Sequence, residues 1–248
     1  MISGTLCARM PTTRHIRSFV LRAGRMTDGQ ARALQDLWPR FGIDFNQEPL
    51  DLDAAFGRHA PHCVEIGFGI GEVIGALAKT NQQIDYLGIE VHRPGVGRLL
   101  QDCAASNLTN VRVVSHDAVE VLRFGLADSS LDEVLIFFPD PWHKKRHHKR
   151  RLIDASFLSL LARKIKPGGI LRMATDWQEY AEQMLACGNA CSDFQSLSPD
   201  NTFVQRYDHR SSTRFERRGE RLGHGVWDLA FRRSGSQQSG CAPDKAAT

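Results

Sequence analysis

Two hydrophobic periods alternate along this chain, and their alternation predicts its architecture. From Pro61 onward, short apolar runs of strand type give way to segments with apolar residues every three or four positions. Strands are expected at 62–66, 84–90, 111–115, 131–138 and 170–175, with helices at 72–79, 94–105, 153–164 and 177–186 between or after them. Within 131–138 the run Val134–Phe138 is continuously apolar, which predicts a strand buried on both faces. Pro167-Gly168-Gly169 stops one helix and turns into the next strand. Segments 202–206 and 226–232 are expected to pair as a terminal antiparallel hairpin. Such alternation implies an α/β fold, a doubly wound and mostly parallel sheet. Residues 1–55 read as a basic N-terminal arm, irregular except for a helix near 28–38. Residues 56–233 form the expected domain, and the small polar residues of 234–248 a disordered tail.

Composition narrows the class only modestly. With 248 residues and 24% charged positions the chain can bury one α/β core. No apolar run approaches a membrane span, and the arm lacks the apolar stretch of a secretory signal, so a cytoplasmic protein without a membrane partner is expected. The six cysteines form no CxxC pair, which argues for reduced thiols and against a zinc knuckle. Net charge is only +4, but its distribution is uneven. Five arginines and no acid occupy the first 25 residues, six cations lie between Trp142 and Arg151, and a third arginine group spans 206–221. Each alone is most simply a solvated face. Together they point to a polyanion, RNA or DNA.

Ligands of doubly wound sheets sit at the carboxyl ends of the strands. The first strand ends in Glu65-Ile66-Gly67-Phe68-Gly69-Ile70-Gly71-Glu72. Gly67 and Gly69 allow a tight turn and close approach to a ligand, a pattern shared by nicotinamide dinucleotides and S-adenosylmethionine. Glu72 stands where the dinucleotide pattern wants a small residue, and a carboxylate there repels pyrophosphate at a helix N-terminus. Glu65 adds a second negative charge. S-adenosylmethionine carries a sulfonium and an ammonium and no phosphate, so the acids favour it. Glu90, 25 residues after Glu65, is placed to accept hydrogen bonds from ribose hydroxyls. Asp117 can accept from an adenine amine, and it can also cap the helix that follows.

Asp140 sits at the tip of the fourth strand, between Pro139 and Pro141, which restrict the backbone on either side. Trp142 either stacks on a base or packs the turn. Beyond it, Lys144, Lys145, Arg146, Lys149 and Arg150 form a surface suited to an RNA backbone. His143 and His147, four residues apart, make a poor metal pair among so many cations, and no metal is expected.

Six motifs carry a family resemblance: GFGIG after Ile66, GIEVHRPGVGRLL at 88–100, SHDAVEVL at 115–122, FFPDPWHKKRHHKRR at 137–151, MATDW at 173–177 and TRFERRGERLGHGVWDL at 213–229. In these the chain resembles the bacterial tRNA (guanine-N7)-methyltransferases, from about residue 17 to residue 231. The resemblance implies a seven-stranded Rossmann-like class I methyltransferase sheet. It also implies transfer of a methyl group from S-adenosylmethionine to N7 of guanosine 46 in the tRNA variable loop, with no obligate protein partner. It places Glu65, Glu90, Asp117 and Asp140 at the cofactor, with Asp140 also catalytic, and Lys144, Asp176, Thr213, Arg214, Phe215 and Glu216 at the RNA. The family usually has Lys where this chain has Arg214, which keeps the charge and changes its geometry.

Competing readings remain open on the residues alone. A nicotinamide-dependent dehydrogenase is opposed by Glu72. An amino-methyltransferase wants an Asp/Asn-Pro-Pro-aromatic loop, and this chain has Pro-Asp-Pro-Trp. A non-catalytic RNA-binding protein is opposed by the complete set of pocket acids.

Overall fold

The computed structural model describes residues 18–19, 24–208, 210, 216 and 225–235. Its centre is an eight-stranded sheet in the order β1-β4-β3-β2-β5-β6-β8-β7. The strands are β1 (Gly42–Ile43), β2 (His62–Ile66), β3 (Asp85–Ile89), β4 (Val111–Val114), β5 (Leu131–Phe137), β6 (Ile165–Thr175), β7 (Phe194–Ser196) and β8 (Trp227–Arg233). The pairings from β1 through β6 are parallel, and β8 is antiparallel to both β6 and β7.

Burial explains the apolar runs. Every residue of β2 and β3 is buried. Along β5, Val134 and Ile136 join one core while Leu135 and Phe137 join the other, because side chains alternate across the sheet. On the first face pack α7 (Ala155–Lys164) and α8 (Gln178–Ala190), through Phe157, Leu161, Tyr180 and Met184. On the second pack α4 (Glu72–Thr80) and α5 (Arg93–Ala105), through Ile74, Leu77, Val96 and Leu99. A doubly wound sheet is thus present, as the alternating pattern predicts.

The sheet has eight strands where seven were expected, Pro167-Gly168-Gly169 lies inside β6 instead of ending a helix, and two further differences stand out. The N-terminal helix is divided into α1 (Asp28–Asp36) and α2 (Trp38–Phe41) around Pro39, and β1 follows to pair with Val113 and Val114. Thr27 and Gln30 close a reciprocal capping box at the start of α1. Leu52, at the start of α3 (Leu52–Phe56), is buried in the first-face core. At the other end, β8 takes the predicted position, but its strand partners are β6 and β7. Val204, in the expected hairpin arm, makes only a single bridge to Asp228. The three-residue β7 is too short to show a period.

Candidate functional site

The strand order has its switch point between β2 and β5, where the chain winds outward in both directions. The five parallel strands around it end at one edge. Asp117 follows β4, Glu90 follows β3, Glu65 is the penultimate residue of β2, Asp140 follows β5 and Asp176 follows β6. Taken across the sheet these five carboxylates form one row in the order Asp117, Glu90, Glu65, Asp140, Asp176. In sequence they are spread over more than a hundred residues.

Glu65 is buried, and its Oε2 has no hydrogen-bond partner among the described residues. Burial pushes its carboxyl up to about 8, the Ile74 N–H at the start of α4 pulls against this, and nearby Glu90 adds to the rise. Such a group is an acceptor awaiting a donor, preferably a cationic one. Glu90 is engaged with its own loop. Its Oε2 accepts from the Gly69 N–H at 2.8 Å, and its Oε1 from the N–H groups of Val91 at 2.7 Å and His92 at 2.9 Å. Oε1 thus has both acceptor sites taken, and Oε2 keeps a further lone pair for a hydroxyl.

The glycine loop takes backbone angles that only glycine adopts readily. Gly67 has φ +74° and Gly69 φ +59°, and a Cβ on either would enter open space. Gly95 on α5 is demanded by contact instead, since a Cβ there would stand 1.9 Å from the Gly69 carbonyl oxygen. A glycine inside an otherwise helical pattern was the available sequence signal for that approach.

Asp117 caps the short helix Ala118–Glu120 through the Val119 N–H at 2.9 Å. The capping role is therefore present, and the carboxylate also lines a cavity of about 520 Å³ with Val91, His116, Glu120, Trp38 and Phe19. Phe19 belongs to the N-terminal segment, and an isolated aromatic in an irregular stretch gives no sequence signal.

Asp140 is exposed at the tip of β5. Phe138 and Trp142 flank its turn with φ +53° and +48°, a left-handed conformation unusual for such bulky residues. Trp142 packs the turn. Its Nε1–H donates to the Ser18 carbonyl at 3.0 Å, the Arg150 guanidinium lies 4.9 Å from its ring centre, and His147 meets it edge-on at 5.8 Å. His143 meets Trp177 in a similar way at 4.1 Å, joining the tips of β5 and β6 beside Asp140 and Asp176.

Lys145–Arg150 forms a 3-10 helix in which Lys145, Arg146 and Lys149 are exposed, as is Lys144 just before it. Burial, together with the cations around it, holds the His147 imidazole below its ordinary pKa. Arg151 does not share this surface, being 5% exposed and turned inward. The third arginine group also loses one described member to the interior. Arg210 is buried between Glu216 (Nη1–Oε2, 2.9 Å) and Asp228 (Nη2–Oδ2, 2.9 Å), and Arg206 holds the other Glu216 oxygen at 2.9 Å. Thr213, Arg214 and Phe215 lie outside the described residues, as do the arginines at 9, 14, 17 and 22.

Comparison with known proteins agrees with this geometry. A family model described as "Putative methyltransferase" matches residues 59–229. The tRNA (guanine-N(7)-)-methyltransferase of Shewanella oneidensis is 54% identical over 220 residues, 89% of this chain and 92% of that protein. The protein of the same name from Ectopseudomonas mendocina is 56% identical over the same shares. The chain belongs to the tRNA (guanine-N7)-methyltransferase family. Among solved structures, the aminoglycoside resistance methyltransferase NpmB1 superposes with a TM-score of 0.50 at 18% identity, over 73% of this chain and 91% of that one, a likeness of fold. The row of acids at the strand tips is thus set in the sheet of a methyltransferase. Among the described residues no cluster suited to a metal ion is present, and no helix is long and apolar enough to cross a membrane.

Proposed function

We propose that this protein transfers a methyl group from S-adenosylmethionine to N7 of guanosine 46 in the variable loop of tRNA, working in the cytoplasm. The observation that carries the reading is the row of five carboxylates along one sheet edge. Three of them, Asp117, Glu90 and Glu65, fit the cofactor's two ends. Glu65 offers a buried oxygen without a partner to the ammonium. Glu90 and the glycine loop it braces receive the ribose, and Asp117 beside its cavity receives the adenine. When bound, S-adenosylmethionine supplies an electrophilic methyl carbon.

Asp140 and Asp176 then face the guanine. N7 carries a free lone pair, so no proton has to leave before it attacks. The protein's task is to hold base and methyl in line at roughly 3 Å. Methylation leaves the purine cationic, and the Asp140 carboxylate stabilises that charge as it develops. Lys144, with Lys145, Arg146, Lys149 and Arg150, grips the phosphates around the loop. Asp176 and the segment from Thr213 through Arg214 and Phe215 to Glu216 complete the RNA site. Glu216 is itself held by Arg206 and Arg210.

The test is methyl transfer from labelled S-adenosylmethionine to an unmodified tRNA transcript, followed by chemical cleavage at N7-methylguanosine. A single cut in the variable loop is expected. Label on an exocyclic amine, or none despite tRNA binding, would overturn the reading.

A further inference from the structure

In the sequence, Arg151 is the last of six cations that all look fit for phosphate. The structure separates it from the rest. Its side chain is 2% exposed, and every polar atom of its guanidinium has a protein partner. Nε donates to the Pro141 carbonyl at 2.8 Å, Nη1 to Gln183 Oε1 at 2.6 Å, and Nη2 meets His148 Nε2 at 3.1 Å, with Glu179 Oε1 at 3.6 Å. The guanidinium lies 4.9 Å from the ring centre of Tyr180, whose hydroxyl accepts from the Ile153 N–H at 3.0 Å. Gln183 is fixed in turn by donating to the Ile153 carbonyl at 3.1 Å.

The Asp140 turn needs such a hold. Pro139 and Pro141 have no N–H to donate, so the residues on both sides of Asp140 cannot tie the backbone down as donors. Phe138 and Trp142 bracket the turn in left-handed conformations. Two ties lie outside the prolines: the Phe138 N–H donates to the Ala174 carbonyl at 2.8 Å and the Trp142 ring to Ser18. Arg151 supplies the tie at Pro141, adjacent to Asp140 in the chain, and links it to α8.

We propose that Arg151 is a positioning residue for Asp140, a planar clamp that seats the Pro139–Trp142 turn on α8 and takes no part in binding RNA phosphate. The inference rests on the proposed methyl transfer. Lysine keeps the charge at this position but offers no fork, so it cannot hold Pro141 and Gln183 together.

The experiment is single-turnover methyl transfer at saturating tRNA and S-adenosylmethionine, with tRNA affinity measured separately over a salt series. Arg151→Lys is expected to slow transfer by about tenfold or more, while tRNA affinity stays within about twofold and its salt dependence is unchanged. Gln183→Ala, which leaves Arg151 in place, should slow transfer in the same way to a lesser degree. A wild-type rate in both Arg151→Lys and Gln183→Ala overturns the clamp, as does an Arg151→Lys protein that loses affinity and salt dependence at full rate. If Arg151→Lys fails to fold, Gln183→Ala decides alone. If the wild-type enzyme itself transfers no methyl group to the transcript, the methyl-transfer reading fails and takes the clamp with it.

Discussion

Arg210 and Asp228 form a buried ion pair, Nη2 to Oδ2 at 2.9 Å, where the end of the 206–210 segment meets β8. Burial raises the Asp228 carboxyl above its ordinary pKa, and the Arg210 charge works against that rise. Burying the pair is costly, so its main effect is to fix one arrangement of the chain. Glu216 completes it from the other side of the guanidinium. Glu216→Ala would leave the Arg210 charge under-compensated inside the protein. A loss of about 3–5 kcal/mol is expected in denaturant unfolding. A change below about 1 kcal/mol would mean that Glu216 is not holding the segment.

Glu65 makes the ligand-free protein sensitive to pH. Its folded pKa of about 8 lies above the ordinary carboxyl value of about 4.5. Between those values the folded state keeps a proton that the unfolded state has released, so stability falls as pH rises from about 4.5 to 8. Glu65→Gln should flatten that slope and melt above wild type at pH 8 and beyond. Equal slopes in the two proteins would sink the assignment.

The same group predicts a proton released on binding S-adenosylmethionine. A cationic donor beside Glu65 favours its ionised form and lowers its pKa. At pH 7, calorimetry in buffers of differing ionisation enthalpy should register release approaching one proton, and Glu65→Gln should abolish it. Proton uptake by wild type would contradict the pairing.

Asp140→Ala should lower the single-turnover rate by about a hundredfold or more, with tRNA affinity little changed. A near-normal rate would remove Asp140 from the chemistry.

Lys145 and Lys149 are exposed on the 3-10 helix. Alanine at either should weaken tRNA binding and reduce the slope of log affinity against log salt by about 0.7–0.9. An unchanged slope would place them away from phosphate.

Much of this was legible in the sequence because it depends on period and composition. The strand at 62–66 is observed at those limits, and the strand expected at 131–138 ends one residue earlier. Two-sided burial of a parallel strand leaves a continuous apolar run that needs no partner to be recognised. Glu90, Asp117 and Asp140 were legible because each follows a strand-type segment, whereas Asp176 was marked only by the family resemblance. The roles of the arginines were not. Arg150 and Arg151 are adjacent and chemically identical, yet one covers Trp142 and the other is sealed against Tyr180. Which side chain turns inward depends on the path of a short 3-10 helix, and no periodicity reports that. Charge counting therefore does not reveal that Arg151 and Arg210 are buried, the first in the cluster at 142–151 and the second beside Glu216 and Asp228. The partners of β8 were hidden too, because β7 spans only three residues.

The position of β8 bears on how the molecule is made. This strand lies inside the sheet, between β6 and β7, although it is the last strand described. A ribosome therefore delivers all five acid-bearing strand tips before the sheet can close. Until Trp227–Arg233 emerges, β6 presents an unpaired row of backbone donors and acceptors to its surroundings. A transcript cut short before that point would yield a chain with its acid-bearing strands complete and an open, adhesive edge.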